Sequence, residues 1–411
     1  MRPIQLAPLA FSLAAASLCH LPPASADEGE ARYFKGNTHT HSLWSDGNDF
    51  PEMIGDWYRE RGYNFLVLSD HNTLSRGERW MKVADVEKRK KAIGKPVLDK
   101  YLAKFGEDWV ELRGEAVARE VRLRTLEEIR AKLEKPGEFM FIEGEEITDR
   151  FENREVHTNA INLAEPIKPR HGASVREVMR NNLLAVREQA EKLGRPIIAH
   201  LNHPNFRWSL TAEDIAHVLE EEFFEVYNGH PGINHEGDAA RGVPGDEAIW
   251  DLANTLRLSS LGGQPLRAVA TDDSHTYHGG DIRPGRGWIM VRAEKLEPDA
   301  IVEAMRAGDF YASTGVTLKR VAFDKGTRQL AVDIEPAEGA VFTTQIIGTR
   351  KGDEGDPAKI GAVLATVEGT EVRYTMAGDE WYIRATVTSS QAHADPSFTG
   401  QKKQAWTQPI W

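Results

Sequence analysis

Cysteine is almost absent: the 411 residues contain one, Cys19. No disulfide framework can hold the fold together, and if Cys19 is removed with a leader no thiolate is left to bind a metal, leaving His, Asp and Glu as ligands. Basic residues are in the minority, with 51 Lys and Arg against 63 Asp and Glu and a formal net charge of −12. Such a chain makes a poor nucleic-acid-coating surface. A small anionic substrate stays compatible with it, because bound cations dominate their local field. No internal repeat or low-complexity tract is present, and 40% hydrophobic with 28% charged residues is an ordinary globular balance. Two nucleophile or phosphate motifs are missing as well. The Gly262-Gly263 pair lacks the surroundings of a P-loop, and no serine sits in a nucleophile elbow.

Residues 1–26 read as a secretory signal peptide. Arg2 supplies the positive start, Pro8 to Leu18 the short apolar core, and Ala24-Ser25-Ala26 the small-x-small cleavage site. That core is too short to span a bilayer. Leu18, just before Cys19, is bulkier than a lipid-attachment site accepts. Cleavage would remove the only cysteine and, with Arg2, the leader's only charge, taking the net charge to about −13. The expectation is a secreted or periplasmic protein with no membrane anchor after leader removal and no nucleic-acid partner. Its partner is a small-molecule substrate, and its oligomeric state stays open.

The length suits one large domain and a smaller one. From Lys35 to about Val291, apolar runs alternate with helix-like segments: Phe65–Leu68, Phe139–Ile142, Pro196–Ala199, Phe223–Val226 and Leu266–Ala270 read as strands. That alternation predicts a parallel α/β sheet, open or closed as a barrel. Polar residues follow these strands directly: Asp70 and His71, Glu145 and Glu146, His200 and His203, then Asp272, Asp273 and His275. Carboxyl ends of parallel strands share one mouth, so a barrel-type active site is expected. Residues 78–136 form a charged, helix-periodic insertion (Lys82–Lys91 and Val117–Leu133) that reads either as solvated helices or as a lid. Residues 316–411, rich in β-formers separated by Gly, Asp and Pro, predict a small antiparallel β domain whose last strand is Ala405–Trp411.

The chemistry-bearing motifs come in a fixed order. They are Gly36-Asn-Thr-His-Thr-His41, Ser45-Asp-Gly47, Leu68-Ser-Asp-His-Asn-Thr-Leu74, Gly144-Glu-Glu-Ile147, Asn202-His-Pro204 and Thr271-Asp-Asp-Ser-His275. In a His-x-His pair on extended chain both imidazoles project to one side and can reach one ion. Together with Phe310–Gly315, these segments resemble the PHP (polymerase and histidinol phosphatase) superfamily, in its secreted branch of carbaryl-hydrolase-like proteins. The resemblance covers about Lys35 to Gly315. It implies a distorted (β/α)7 barrel over residues 33–315 holding two or three divalent ions, zinc, manganese or iron. Its ligands would be His39, His41, Asp46, His71, Glu146, His157, His203, Asp273 and His275. Glu146 is preferred to Glu145 and would bridge two ions, and His203 before Pro204 is preferred to His200. Only its distance after the glutamate recommends His157.

Asp46, His71, Glu146 and His203 are expected to take part in catalysis. Asp70 and Asp272 are expected to accept imidazole N–H groups. His200, His230, His278 and Arg207 are candidates for substrate contact, with Lys35, Arg283, Arg286 and His235 as further residues near site segments. Multinuclear metal sites make hydroxide from water at neutral pH and stabilise charge on the attacked oxygen. The resulting expectation is a metal-dependent phosphoesterase for a small phosphorylated molecule. Hydrolysis of carbamates or carboxylic esters stands second, and a non-catalytic metal- or carbohydrate-binding protein third.

Overall fold

The structure, a computed structural model, describes residues 30–89 and 96–411. The expected signal peptide, residues 1–26, and Cys19 lie outside the described residues. Strands β1 (Arg32–Asn37) and β2 (Phe65–Leu68) flank helix α1 (Pro51–Glu60). Next come β3 (Arg79–Lys82), α2 (Val83–Arg89), α3 (Val97–Phe105), β4 (Leu112–Arg113), β5 (Glu120–Leu123) and α4 (Leu126–Leu133). Strands β6 (Met140–Phe151) and β7 (Arg154–Ile161) lead through α5 (Val175–Leu193) to β8 (Ile198–Leu201) and α6 (Ala212–Ala216). Then follow β9 (Phe223–Asn228), α7 (Asp246–Leu256), β10 (Arg267–Thr271), β11 (Trp288–Ala293), α8 (Pro298–Ala307) and β12 (Phe310–Ser313). The chain closes with β13 (Leu318–Asp324), β14 (Gln329–Ile334), β15 (Phe342–Arg350), β16 (Ala362–Glu368), β17 (Glu371–Thr375), β18 (Glu380–Ala392) and β19 (Lys402–Trp406).

Thirteen of these strands form one mixed sheet, in the order β10-β9-β8-β7-β6-β2-β1-β11-β12-β19-β18-β15-β16. The architecture is mixed α/β on a large sheet. Among the described strands, parallel ladders are confined to β1-β2-β6 and β8-β9-β10. The purely parallel sheet read from the alternation of strands and helices is corrected by β7, which pairs antiparallel with both neighbours. Its cause is local: two residues, Glu152 and Asn153, separate β6 from β7, too few for a crossover, and Glu152 turns with a φ of 55°. No ladder joins β10 to β1 among the described strands. One parallel bridge, Thr40 with Ser274, brings the ends of those two strands side by side, and the His41 amide donates to the Ser274 carbonyl at 3.0 Å. Buried aliphatic and aromatic side chains fill both faces, Phe65, Val67, Ile142 and Val269 on one and Ile147, Leu201, Phe224 and Ala270 on the other.

Residues 316–411 are antiparallel throughout. Strands β13, β14 and β17 make a separate three-stranded sheet, while β15, β16, β18 and β19 extend the main sheet through the β12–β19 pairing. Residues 31–411 form a single compact unit. The 78–136 stretch is less helical than its periodicity predicts: it contains the small sheet β3-β5-β4, and only Leu126–Leu133 of the Val117–Leu133 segment is α-helix. Val121 and Leu123 alternate inward on β5, a strand period. Thr125 then caps α4 in a reciprocal capping box with Glu128, so the helix starts there. Val86, Val97, Leu98, Tyr101 and Val110 of this stretch pack on Leu43, Trp44 and Phe50.

Candidate metal centre

Strand alternation decides which acid of Glu145-Glu146 faces inward. Glu146 is buried among imidazoles, whereas Glu145 points to the other side and accepts the Ile167 amide at 2.5 Å. Neighbouring Gly144 has no room for a side chain, since a Cβ there would meet the Ala160 carbonyl oxygen of β7 and Val67 of β2. Around Glu146 the structure gathers the end of β1, the loop after β2, β7, the loop after β8 and the loop after β10. Four overlapping groups result: His41-Asp46-His71-His275, His39-His41-Glu146, His39-His203-Asp273 and Glu146-His157-His203, with the donor atoms of each lying within 4.8 Å of one another.

The separations have a diagnostic size. His39 Nε2 and His41 Nε2 each lie 3.2 Å from Asp273 Oδ1. They lie 3.5 and 3.4 Å from the two oxygens of Glu146. His203 Nε2 is 3.4 Å from Glu146 Oε1, and His275 Nε2 is 3.3 Å from Asp46 Oδ1. Most of these are long for hydrogen bonds. Two ligand atoms each about 2.1 Å from one tetrahedral ion stand about 3.4 Å apart. His39 Nε2, His41 Nε2, His157 Nε2 and Glu146 Oε2 are also buried and make no hydrogen bond. Buried polar atoms are seldom left so, and a shared cation satisfies them. The donor set fits divalent metal.

Electrostatics agree. Burial works against charging these rings, yet Asp273, Glu146 and Glu225 outweigh it and hold His39 well above its usual value. At His71 burial is likewise overcome by Glu146 and Asp46, which raise it to about 11. At His157, Glu146 and Glu155 overcome burial and raise it to about 9. His41 goes the other way, to about 4, through burial and the rings of His275 and His71. Burial would raise Glu146 and Asp273, but the imidazoles hold both carboxyls well below the usual range. The site concentrates negative charge that protons or a divalent cation can neutralise, in competition. Two of its residues carry strain: His203 and Asp273 have φ of 23° and 46°, unusual outside glycine.

The remaining candidates scatter. His230 stays beside the cluster, its ring 6.0 Å from that of His275, and its Nδ1 accepts the Gly232 amide. His278 Nε2 lies 3.4 Å from Asp49. His200 is fully buried behind His39, with neither ring nitrogen hydrogen-bonded, a placement that leaves it no substrate to touch. Arg207 is 68% exposed and pairs with Glu155 at 3.2 Å. Arg286 is buried on the Gly229 and Asp281 carbonyls, Arg283 pairs with Asp395, and Lys35 lies over the rings of Tyr63 and Trp288. His235 stacks on Tyr227 and bonds Asp246, away from the cluster.

Asp70 and Asp272 do not accept imidazole N–H groups. Asp70 takes the Ser42 amide and the hydroxyls of Ser42 and Ser45. Asp272 takes the Tyr58 hydroxyl and the amides of Gly285, Arg286 and Gly287. The residue beside the rings is Glu225 of β9. Its Oε1 lies 2.8 Å from His39 Nδ1, and its Oε2 accepts the His203 amide at 2.8 Å and the Asn228 side chain at 2.9 Å. Asn202 and Asn228 donate to Glu146 and Asp273. A lone acid inside the apolar run Phe223-Phe-Glu-Val226 was the available signal for Glu225.

No family model and no curated protein matches the chain. Among solved structures it is similar to a two-domain protein containing a predicted PHP-like metal-dependent phosphoesterase from Bacteroides vulgatus. That pair shares 15% identity over 93% of this chain and 96% of the other, with a TM-score of 0.41. It is also similar to a protein from Bifidobacterium adolescentis provisionally described as a metal-dependent phosphoesterase. Here the identity is 14% over 66% of this chain and 94% of the other, with a TM-score of 0.31. At these values the chemistry has to be read from the site itself.

Proposed function

We propose that this chain is a secreted metal-dependent hydrolase of the PHP superfamily, in its carbaryl-hydrolase-like branch, acting as a phosphoesterase on a small phosphorylated molecule. In this reading strands β1, β2 and β6 to β10 make the distorted (β/α)7 barrel, drawn together at the Thr40–Ser274 bridge. One observation carries the functional part: a single buried carboxylate, Glu146, stands within 3.5 Å of ring nitrogens from His39, His41, His71, His157 and His203. His39, His41, Glu146 and Asp273 would hold one ion, Glu146, His157 and His203 a second, and Asp46, His71 and His275 a third.

Two or three divalent ions there, zinc, manganese or iron, would supply Lewis acidity and lower the pKa of water. Glu225 orients His39 and the His203 backbone. Asp46, 56% exposed, and His71 are the members a substrate oxygen can approach from solvent. His230 stands beside His275 at the same opening.

A second reading, hydrolysis of carbamates or carboxylic esters, is favoured by a specific observation. Arg207, Arg283 and Arg286, three of the cations expected near the site segments, are engaged with Glu155 and Asp395 rather than free for an anion. The test is metal content by mass spectrometry on protein purified without chelator or metal-affinity tag. Hydrolysis of p-nitrophenyl phosphate, p-nitrophenyl acetate and a naphthyl carbamate is then compared. Two to three ions with phosphate-ester turnover support the first reading, and turnover of the carbonyl substrates alone supports the second. No ions, and no uptake from zinc, manganese or iron, would overturn both.

A further inference from the structure

Asp46 differs from the other carboxylates of the centre. Glu146 and Asp273 are buried on or beside strands, whereas Asp46 is largely exposed on the turn between His41 and α1. A loop carboxylate holds a cation well only if the loop is held. The turn is compact: a Cβ on Gly47 would overlap the His41 carbonyl and the Ser42 amide nitrogen, so only glycine fits. Its outer side is gripped by the 78–136 stretch. Arg89, the last residue of α2, donates from Nη1 to the carbonyls of Ser45 at 2.6 Å and Gly47 at 3.1 Å, the residues on either side of Asp46. Arg79 of β3 donates to the Trp44 carbonyl, and the Trp44 indole donates to the Arg124 carbonyl at 3.2 Å. Lys100 of α3 pairs with Asp49 at 2.8 Å. These contacts, with the shared apolar packing on Leu43, Trp44 and Phe50, make the stretch a brace for the turn.

We infer that Arg89 is a positioning residue for Asp46, and that the 78–136 stretch thereby controls occupancy of the Asp46-His71-His275 position. The inference rests on the proposed metal centre. Its physical basis is the bracketing of Asp46 by one guanidinium nitrogen. With both flanking carbonyls held, the carboxylate stays between His71 Nε2 and His275 Nε2, 3.6 and 3.3 Å away. Without the guanidinium, an exposed turn has more conformations to lose on binding an ion. Among the described residues, no hydrogen bond or ion pair joins this stretch to Glu146, His157 or His203.

The experiment is metal stoichiometry and affinity of the full chain, by mass spectrometry after dialysis and by cobalt(II) titration followed in the visible spectrum. Wild type is compared with Arg89→Ala, Arg89→Gln, Arg89→Lys and the control Lys88→Ala, whose lysine pairs with exposed Asp85. Arg89→Ala is expected to weaken the last ion by about ten- to a hundredfold, as loss of an outer support to a ligand does. The first ions and the melting temperature should be unchanged, with Arg89→Lys in between and Lys88→Ala like wild type. If Arg89→Ala fails to fold, Arg89→Gln and Arg89→Lys carry the comparison. Wild-type affinity for every ion in the Arg89 variants would overturn the inference, as would equal weakening of all ions or a wild type saturating at two. A wild type that binds no ion at all would instead overturn the proposed function.

Discussion

Glu225 and His39 meet at 2.8 Å, both wholly buried, and the same carboxylate reaches the His203 amide with its other oxygen. A strand-borne acid thus sets the ring orientation of one candidate ligand and the backbone of another. Burial would raise the Glu225 carboxyl, but His39, His200 and His203 hold it at about 2. Carboxylates behind ligating imidazoles fix the tautomer and strengthen the ligand. Glu225→Gln is expected to lower metal affinity by about ten- to a hundredfold with the fold intact. Calorimetric titration with zinc or manganese checks this, and an unchanged affinity would remove Glu225 from the site.

Glu146 faces donors of more than one group. Glu146→Gln should therefore lose ions from two positions, where His39→Ala loses one, and hydrolysis should fall at least about a hundredfold. Metal counting and activity on the same preparations decide it. Full metal retention in His39→Ala, with activity lost, would count against the ligand role given to His39.

Arg384 of β18 and Asp251 of α7 tie the C-terminal strands to the rest of the unit by a two-pronged bond, Nε to Oδ1 at 2.8 Å and Nη2 to Oδ2 at 2.7 Å, with both groups buried. Asp251→Ala leaves a buried guanidinium with one remaining carboxylate, Glu247, at 2.9 Å. The expected cost is about 3–5 kcal/mol in urea unfolding. Asp251→Leu combined with Arg384→Met should recover much of it, because removing both charges abolishes the desolvation penalty. A single variant as stable as wild type would show that the pair contributes nothing.

Glu221 gives a pH dependence away from the metal centre. Burial raises its carboxyl to about 8 against the opposing pull of the Phe223 and Glu222 amides and Arg257, and Oε2 has no hydrogen-bond partner. A carboxyl raised on folding stabilises below its unfolded value near 4.5, and that contribution is lost as pH rises through about 8. Glu221→Gln should leave stability at pH 5 little changed and exceed wild type by about 1 kcal/mol or more at pH 9. Parallel curves for the two proteins across that range would refute it.

Local signals carried far in this chain. The apolar run Phe65–Leu68 is β2 to the residue, and the runs at 139–142, 196–199, 223–226 and 266–270 start within two residues of the starts of β6, β8, β9 and β10, although β6 continues to Phe151. Solvent-shielded strands leave such a mark because every side chain in them is buried. Strand β7 left none: Arg154–Ile161 mixes polar and apolar residues because His157 meets Glu146 across the hairpin and Asn159 accepts from Asn202 beyond β8. The helical reading of 117–125 followed charge and overlooked the two-residue alternation of Val121 and Leu123.

By itself the sequence determined the inventory and its order: a single cysteine, a His-x-His pair at the end of one strand, and acids and imidazoles following others. These are properties of residue type and spacing, readable without contacts. Tertiary structure alone decided the partners. Which acid stands behind His39, what occupies Arg207, whether His200 reaches the opening and what grips the Asp46 turn all join residues from 35 to 186 positions apart. Spacing along a chain constrains only near neighbours, and the long-range packing of the sheet sets which distant side chains meet.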